Sequence, residues 1–201
     1  MRQALFIRHG ESERNKEGRV SGQAETALTD AGKLQAIMAG TKIRHLRLPT
    51  EVYSSPLGRV TLTAYLCAST SHSMRGVDIV THQSLIERSY GVLEGRPWQE
   101  VLSEMGEDSK QLSNSPDWRP KGGESLLDVR RRTMAFWHLV AKPRMASGEI
   151  PVIFGHGGML RAMLSYIDQN DDLTKYKIKN AEPILYTFAD DCERVISIEF
   201  L

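Results

Sequence analysis

Four short apolar runs, each stopping abruptly at polar or glycine-rich residues, constrain this chain more than any other feature. Gln3 to Ile7 stops at Arg8-His9-Gly10, Glu51 to Ser54 at Ser55-Pro56, Val77 to Val80 shortly before His82, and Pro151 to Phe154 at Gly155-His156-Gly157-Gly158. Such runs are too short for helices and fit buried strands that end in loops. Helical periods lie between them. Thr29 is an N-cap candidate, after which Leu34, Ile37, Met38, Thr41 and His45 share a face. Ser55-Pro56 reads as a cap with proline at the first helical position, ahead of an apolar side made by Leu62, Tyr65 and Leu66. Between Ser125 and Ala141, a single stripe holds Leu126, Val129, Thr133, Phe136, Trp137 and Val140, and a last helical stretch runs from the glycine cluster through Tyr166.

Strands alternating with helices predict an α/β fold: a three-layer sandwich with a mainly parallel central sheet and helices on both faces. Ile184 to Phe188 and Val195 to Phe200 flank Asp190-Asp191 and read as two strands joined by a turn, adding one antiparallel edge strand. The expected organisation is one domain over 1–201, with an insertion around 96–123. Within it, Gly106 to Glu124 is rich in Ser, Asp, Pro, Lys and Gly, and is either a lid over a site or a plain surface excursion.

Charge narrows the partners. With 26 Lys+Arg against 25 Asp+Glu the formal net charge is +1, which gives no bulk attraction to nucleic acid or to acidic membranes, so any bound anion must be captured locally. No apolar run approaches the roughly 20 residues that span a bilayer, and Met1 to Ile7 is too short for a signal-peptide core. Cys67 and Cys192 stand far apart without metal-ligand spacing and read as reduced, buried thiols. A cytoplasmic protein is expected; the sequence says nothing of its oligomeric state.

In open α/β sheets, ligands bind beyond the carboxyl ends of the strands. Three such ends deliver Arg8-His9-Gly10-Glu11, Ser54-Ser55-Pro56 with Arg59 in the following helix, and His156 among glycines. Two arginines and two imidazoles on one rim point to a phosphoryl ligand, because the guanidinium fork matches phosphate oxygens and helix N-termini add N–H donors. Other residues read as bland. His45 and His138 suit packing or surface bonding, His72 lies in a polar loop, His82 is the runner-up histidine, and Arg130-Arg131-Arg132 fans around a solvated helix face.

Arg8-His9-Gly10-Glu11 with Asn15, Ser54-Ser55-Pro56 and Arg59 with Thr63-Ala64, Glu87-Arg88 with Gly91 and Glu94-Gly95, and Gly155-His156-Gly157-Gly158 together resemble the histidine phosphatase superfamily, also called phosphoglycerate mutase-like. The blocks occur in family order across residues 8 to 158. The resemblance implies that His9 is the nucleophile that becomes a phosphohistidine, and that Arg8, Arg59 and His156 hold the phosphoryl oxygens. It makes Glu87 the general acid and then the base that activates water, with Glu94 as the competing carboxylate. Asn15, Ser21, Gly22, Tyr90 and Gly157 complete the implied substrate contacts, and Glu11 is assigned a structural role. No metal and no cofactor are implied.

The resemblance leaves the acceptor open. Mutases of the family carry a longer insertion with paired arginines for a substrate carboxylate, and a longer tail. Here Trp98 to Lys121 holds Lys110, Arg119 and Lys121 but no arginine pair, and the chain ends soon after Phe200. Both features favour a metal-independent phosphatase acting on a small phosphorylated metabolite. The alternatives are a mutase-type phosphotransferase and a non-catalytic regulatory member of the fold. Trp98 and Trp118 with those three cations line a selective lid or form ordinary surface.

Overall fold

A computed structural model describes residues 1–46, 51–106, 115–170, 172 and 176–201. Six strands form one sheet in the order β3-β2-β4-β1-β5-β6: β1 (Arg2–Arg8), β2 (Glu51–Ser54), β3 (Asp78–Thr81), β4 (Val152–Gly155), β5 (Pro183–Phe188) and β6 (Val195–Phe200). The first four run parallel; β5 pairs antiparallel with β1, and β6 antiparallel with β5. The C-terminal hairpin therefore makes the antiparallel edge, with the reversed strand β5 one place in from the rim.

Strand periodicity divides the core. Leu5, Ile7, Val52, Val152 and Phe154 face one side, with α2 (Asp30–Lys42) and α3 (Gly58–Thr70). Ala4, Phe6, Tyr53, Ile153 and Tyr186 face the other, with α5 (Leu126–Phe136) and α7 (Gly157–Ile167). Alternate side chains thus feed two apolar layers, as a sheet covered on both faces requires. The remaining helices are α1 (Glu13–Lys16), α4 (Trp98–Met105) and α6 (Lys142–Ala146), and Trp137–Ala141 forms a π turn between α5 and α6.

Thr29 caps α2 as expected, its hydroxyl accepting from Gly32 N at 2.9 Å. The expected buried face does not hold. Leu34 and Met38 are each 61% exposed, whereas Gly32, Ala36, Ala39, Gly40 and Ile43 are buried. At Gly40 a Cβ would overlap the Cys67 carbonyl oxygen, so α2 and α3 approach too closely for large side chains. Likewise α3 buries Val60, Thr63, Ala64 and Cys67, while Leu62 and Tyr65 point outward. That helix begins at Gly58 and not at Pro56; Ser55 instead closes the preceding turn, its hydroxyl accepting from Leu57 N. The stripe on α5 is borne out, with Leu126, Val129, Thr133 and Phe136 buried.

Of the expected insertion, residues 98–105 are the helix α4, 107–114 with Lys110 lie outside the described residues, and 115–124 run irregularly towards α5. Among the described residues no helix is long and apolar enough to cross a membrane.

Candidate active site

The carboxyl ends of β2, β4 and β1 lie side by side, and their backbones stay bonded past the sheet: His9 N donates to Gly155 O at 3.0 Å and Ser55 N to Phe154 O at 3.2 Å. Adjacent parallel strands therefore carry Arg8-His9, Ser55 and His156 to one place. A cleft of about 700 Å³ opens there.

His9 is 3% exposed and lines the cleft. Its Nδ1 lies 2.7 Å from the Gly10 carbonyl oxygen, which can only accept, so Nδ1 carries the proton. The lone pair then resides on Nε2. Burial, followed by the charges of Arg8 and Arg59, holds the ring well below its ordinary pKa of 6.5 and so neutral. The orienting carbonyl is itself fixed by Gly10, where a Cβ would overlap the Gly32 carbonyl oxygen. His156 lies behind His9 and is fully buried, with ring centroids 5.2 Å apart at 65°. Burial and then Arg59, His9 and Arg8 depress its pKa too. Its Nε2 bonds Ser55 Oγ at 2.8 Å, and its buried Nδ1 has no partner among the described residues. With Ser55 donating, Nδ1 is a proton donor in reserve.

The two expected arginines converge, but not as a pair of free forks. Arg59 donates from Nη1 to Ala24 O at 2.9 Å and from Nη2 to Gly22 O at 2.7 Å. Only its buried Nε is wholly without a partner. Those two nitrogens hold the 22–24 loop, each with one further N–H beyond the bond it makes there. Arg8 donates from Nη1 to Ile178 O at 2.9 Å and likewise has a buried, unpartnered Nε. Burial lowers the pKa of both, although Glu87 acts in the opposite sense.

Glu87 faces the N-terminus of α7. Its Oε1 accepts from Arg88 N at 2.8 Å and Met159 N at 2.9 Å, and its Oε2 from Gly158 N at 3.1 Å. The carboxylate occupies donors that a helix N-terminus otherwise offers to an anion. Glu94, the competing acid, is a brace instead: it accepts from Gln23 N, Ala24 N and Tyr90 N. Its seat depends on Gly22 at φ +52°, where a Cβ would overlap the Glu94 carboxylate. The 22–24 loop is therefore gripped by Arg59 through its carbonyls and by Glu94 through its amides.

Asn15, Ser21, Gly22, Tyr90 and Gly157 all line the cleft, as expected from the sequence. Ser21 Oγ is buried without a partner, and Asn15 Oδ1 accepts from Ser12 N and Asn180 Nδ2. His156 does not line it but supports it from behind. Glu11 does not line the cleft and accepts from Thr29 Oγ1 at 2.8 Å. His82 stays apart, tilted against the Phe136 ring and capping the short turn before Glu87. Trp98 lines the cleft, while Trp118 packs on the Arg88 guanidinium.

One bland reading is overturned. Arg132 is not a solvated side chain: it is 19% exposed, pairs with Glu124 at 3.0 Å, and donates from Nη2 to Glu87 O at 3.1 Å. Arg88 was also missed as more than a neighbour of Glu87. It is 1% exposed and donates to the carbonyls of Glu124 and Trp118, fastening the 115–124 segment against the cleft. Asn180, which donates to His9 O at 2.9 Å, and Arg161 had no motif to mark them. Among the described residues no group of three or more His, Cys, Asp or Glu could hold a metal ion.

The family model described as histidine phosphatase superfamily (branch 1) matches residues 4–200. A 2,3-bisphosphoglycerate-dependent phosphoglycerate mutase of Bartonella henselae is 29% identical over 199 residues, covering 94% of each chain. The mutase 2 of that name from Lactobacillus johnsonii is 30% identical, covering 93% of this chain and 92% of its own. Among solved structures, a mycobacterial glucosyl-3-phosphoglycerate phosphatase with VO3 superposes with a TM-score of 0.81 at 23% identity, over 100% of this chain and 97% of that one. The alpha-ribazole phosphatase from Shigella flexneri gives 0.79 at 22%, over 99% and 95%.

Proposed function

Because the chain belongs to the histidine phosphatase superfamily, branch 1, we propose that it is a metal-independent phosphatase that hydrolyses small phosphate monoesters through a phosphohistidine on His9. The observation that carries this reading is the His9 ring: neutral, buried, and locked by the Gly10 carbonyl so that Nε2 holds the lone pair at the cleft. A nucleophile of this kind needs no base to activate it. Nε2 attacks phosphorus, the P–O bond to the leaving alcohol breaks, and that oxygen takes a proton from Glu87, which must be in its acid form at that moment. Arg8 Nε and Arg59 Nε, buried donors without partners on residues that line the cleft, receive the phosphoryl oxygens as charge builds on them, with His156 buried behind His9 as support. In the second half, Glu87 takes a proton from water as the water oxygen displaces Nε2 from phosphorus, releasing inorganic phosphate and regenerating the neutral ring.

A second reading has its own support. The Bartonella henselae mutase aligns with 94% of this chain over 94% of its own length, so chain length does not separate hydrolysis from transfer to a sugar acid, contrary to the expectation from sequence. The water acceptor rests on the 115–124 segment, where Arg119 turns away to Asp128 at 2.7 Å and does not line the cleft. No arginine pair for a carboxylate comes from the described part of that segment. Inorganic phosphate release and 2-phosphoglycerate formation, measured side by side on 3-phosphoglycerate with catalytic 2,3-bisphosphoglycerate and on a panel of metabolite monoesters, test the choice. Phosphate release on some panel member exceeding mutase turnover is expected. Mutase turnover far exceeding every hydrolysis would overturn the phosphatase reading.

A further inference from the structure

The hydrogen bond that sets the His9 tautomer closes a ring of atoms from Nδ1, through the His9–Gly10 peptide plane, to the Gly10 carbonyl. Its geometry therefore turns on how that plane is held. Gly10 has to be glycine for the close approach of Gly32, and a glycine brings little backbone preference of its own to fix the plane. Two side chains from distant parts of the chain supply what Gly10 lacks. On one edge of the plane Asn180 Nδ2 donates to His9 O at 2.9 Å, and on the other Gly10 N donates to Thr63 Oγ1 at 3.1 Å. Thr63 is fully buried, and its hydroxyl proton goes to Arg59 O at 2.6 Å, which leaves the oxygen to accept.

Asn180 is itself held in place. The next residue, Ala181, is buried at φ +50°, a left-handed conformation that is costly for a residue with a Cβ, and its N–H donates to Arg8 O at 3.0 Å. Residues 180 and 181 thus bond the consecutive carbonyls of His9 and Arg8. Asn180 Nδ2 also lies 3.4 Å from Asn15 Oδ1, which accepts from Ser12 N as well. Both of its acceptors are oxygens that cannot donate, so only one orientation of the Asn180 amide serves. Asn180 does not line the cleft and touches no reacting atom there.

We propose that Asn180, with Thr63, is a positioning clamp on the His9–Gly10 peptide group that keeps the His9 proton on Nδ1 and the attacking lone pair on Nε2. The proton of a neutral imidazole resides on the nitrogen whose hydrogen bond the surroundings fix, and here the fixing acceptor is Gly10 O. Without the clamp the plane turns about the backbone bonds of His9 and Gly10, the Gly10 carbonyl leaves Nδ1, and the proton moves to Nε2, where it blocks attack on phosphorus. The effect on turnover rests on the reading of His9 as the nucleophile; the effect on the ring does not.

Imidazole 15N NMR of the full chain tests it, with the His9 signals assigned by their loss in His9→Gln. Wild type should show the Nδ1–H form alone at pH 7.5. Asn180→Leu keeps nearly the same shape and removes the donor, and Thr63→Val cuts the opposite edge. In each, the Nε2–H form should make up about half of the ring population or more. The kcat/KM for p-nitrophenyl phosphate should fall in step, about twofold or more, because only the competent fraction reacts. Urea unfolding confirms that the variants are folded. Thr63→Val orphans a buried N–H; if it does not fold, Asn180→Leu, at a half-buried position, decides alone. A ring that stays wholly Nδ1–H in Asn180→Leu would overturn the clamp, whatever happens to activity. The two readings fail separately: a tautomer shift in Asn180→Leu beside a wild type that hydrolyses no monoester would support the clamp and remove the nucleophile.

Discussion

Replacing Arg59 by lysine keeps the charge and removes the fork, and the structure says how much that should matter. Arg59 is 2% exposed, and its two Nη groups span the Gly22 and Ala24 carbonyls at 2.7 and 2.9 Å. A single ammonium cannot occupy both positions at the end of a flexible stem. Hydrogen bonds from a charged group each contribute about 1.5–3 kcal/mol, and a buried carbonyl left unpaired forfeits its solvation. Loss of one such bond predicts a destabilisation of about 2–3 kcal/mol. The activity loss has a different origin. Arg59 Nε is the buried donor left for a phosphoryl oxygen, and removing one donor of this type costs about 100- to 1,000-fold in kcat. Urea unfolding and steady-state hydrolysis of p-nitrophenyl phosphate on Arg59→Lys measure the two effects independently. Because Glu94 still holds Gln23 N and Ala24 N, the loop should stay in place, and the variant should still fold. A kcat within threefold of wild type would refute the role of Nε. Unchanged stability would refute the grip on the loop.

Two further outcomes follow from the site's electrostatics. His9 and His156 are held neutral when folded but take a proton near pH 6.5 when unfolded, so the unfolded chain binds more protons below that value. Their contribution to stability is complete above pH 6.5 and is lost as pH falls towards their depressed folded values, at about 1.4 kcal/mol per unit for each ring. Denaturant titrations at pH 7.5 and 5.5 should therefore show a smaller acid-side loss in His9→Gln than in wild type, by about 1.4 kcal/mol; equal slopes would contradict the neutral ring. Glu124→Gln should leave the Arg132 charge, at 19% exposure, without its partner, destabilising by about 2 kcal/mol. It should also lower kcat about tenfold through the Arg132 bond to the Glu87 carbonyl, and wild-type stability and kcat would remove the brace from the account.

What the sequence made legible was whatever is written locally. Short strands ending in Arg8-His9, Ser54-Ser55 and Gly155-His156 located the site, because parallel strands with crossover helices leave their carboxyl ends together. The failures share a physical origin in contacts made by residues with weak local signals. The buried face of α2 consists of Gly32, Ala36, Ala39 and Gly40, chosen for closeness to α3, so reading Leu34 and Met38 as core reversed the helix. Arg132 looked like one cation in a solvated run, yet it and Glu124 meet under the Glu87 segment through sequence separations that no spacing rule covers. Arg59 was placed correctly, but its fork could be assigned only once the Gly22 and Ala24 carbonyls were seen. Asn180 reaches His9 from 171 residues away.

The central claim is that His9 Nε2 takes the phosphoryl group. Rapid quenching of the enzyme during turnover, followed by peptide mapping and 31P NMR under alkaline conditions, addresses it directly. The account predicts an acid-labile phosphoryl group on His9 at Nε2, formed no more slowly than turnover and absent from His9→Ala. Steady hydrolysis without a phosphoenzyme, or a phosphoryl group on Nδ1 or on another residue, would contradict it.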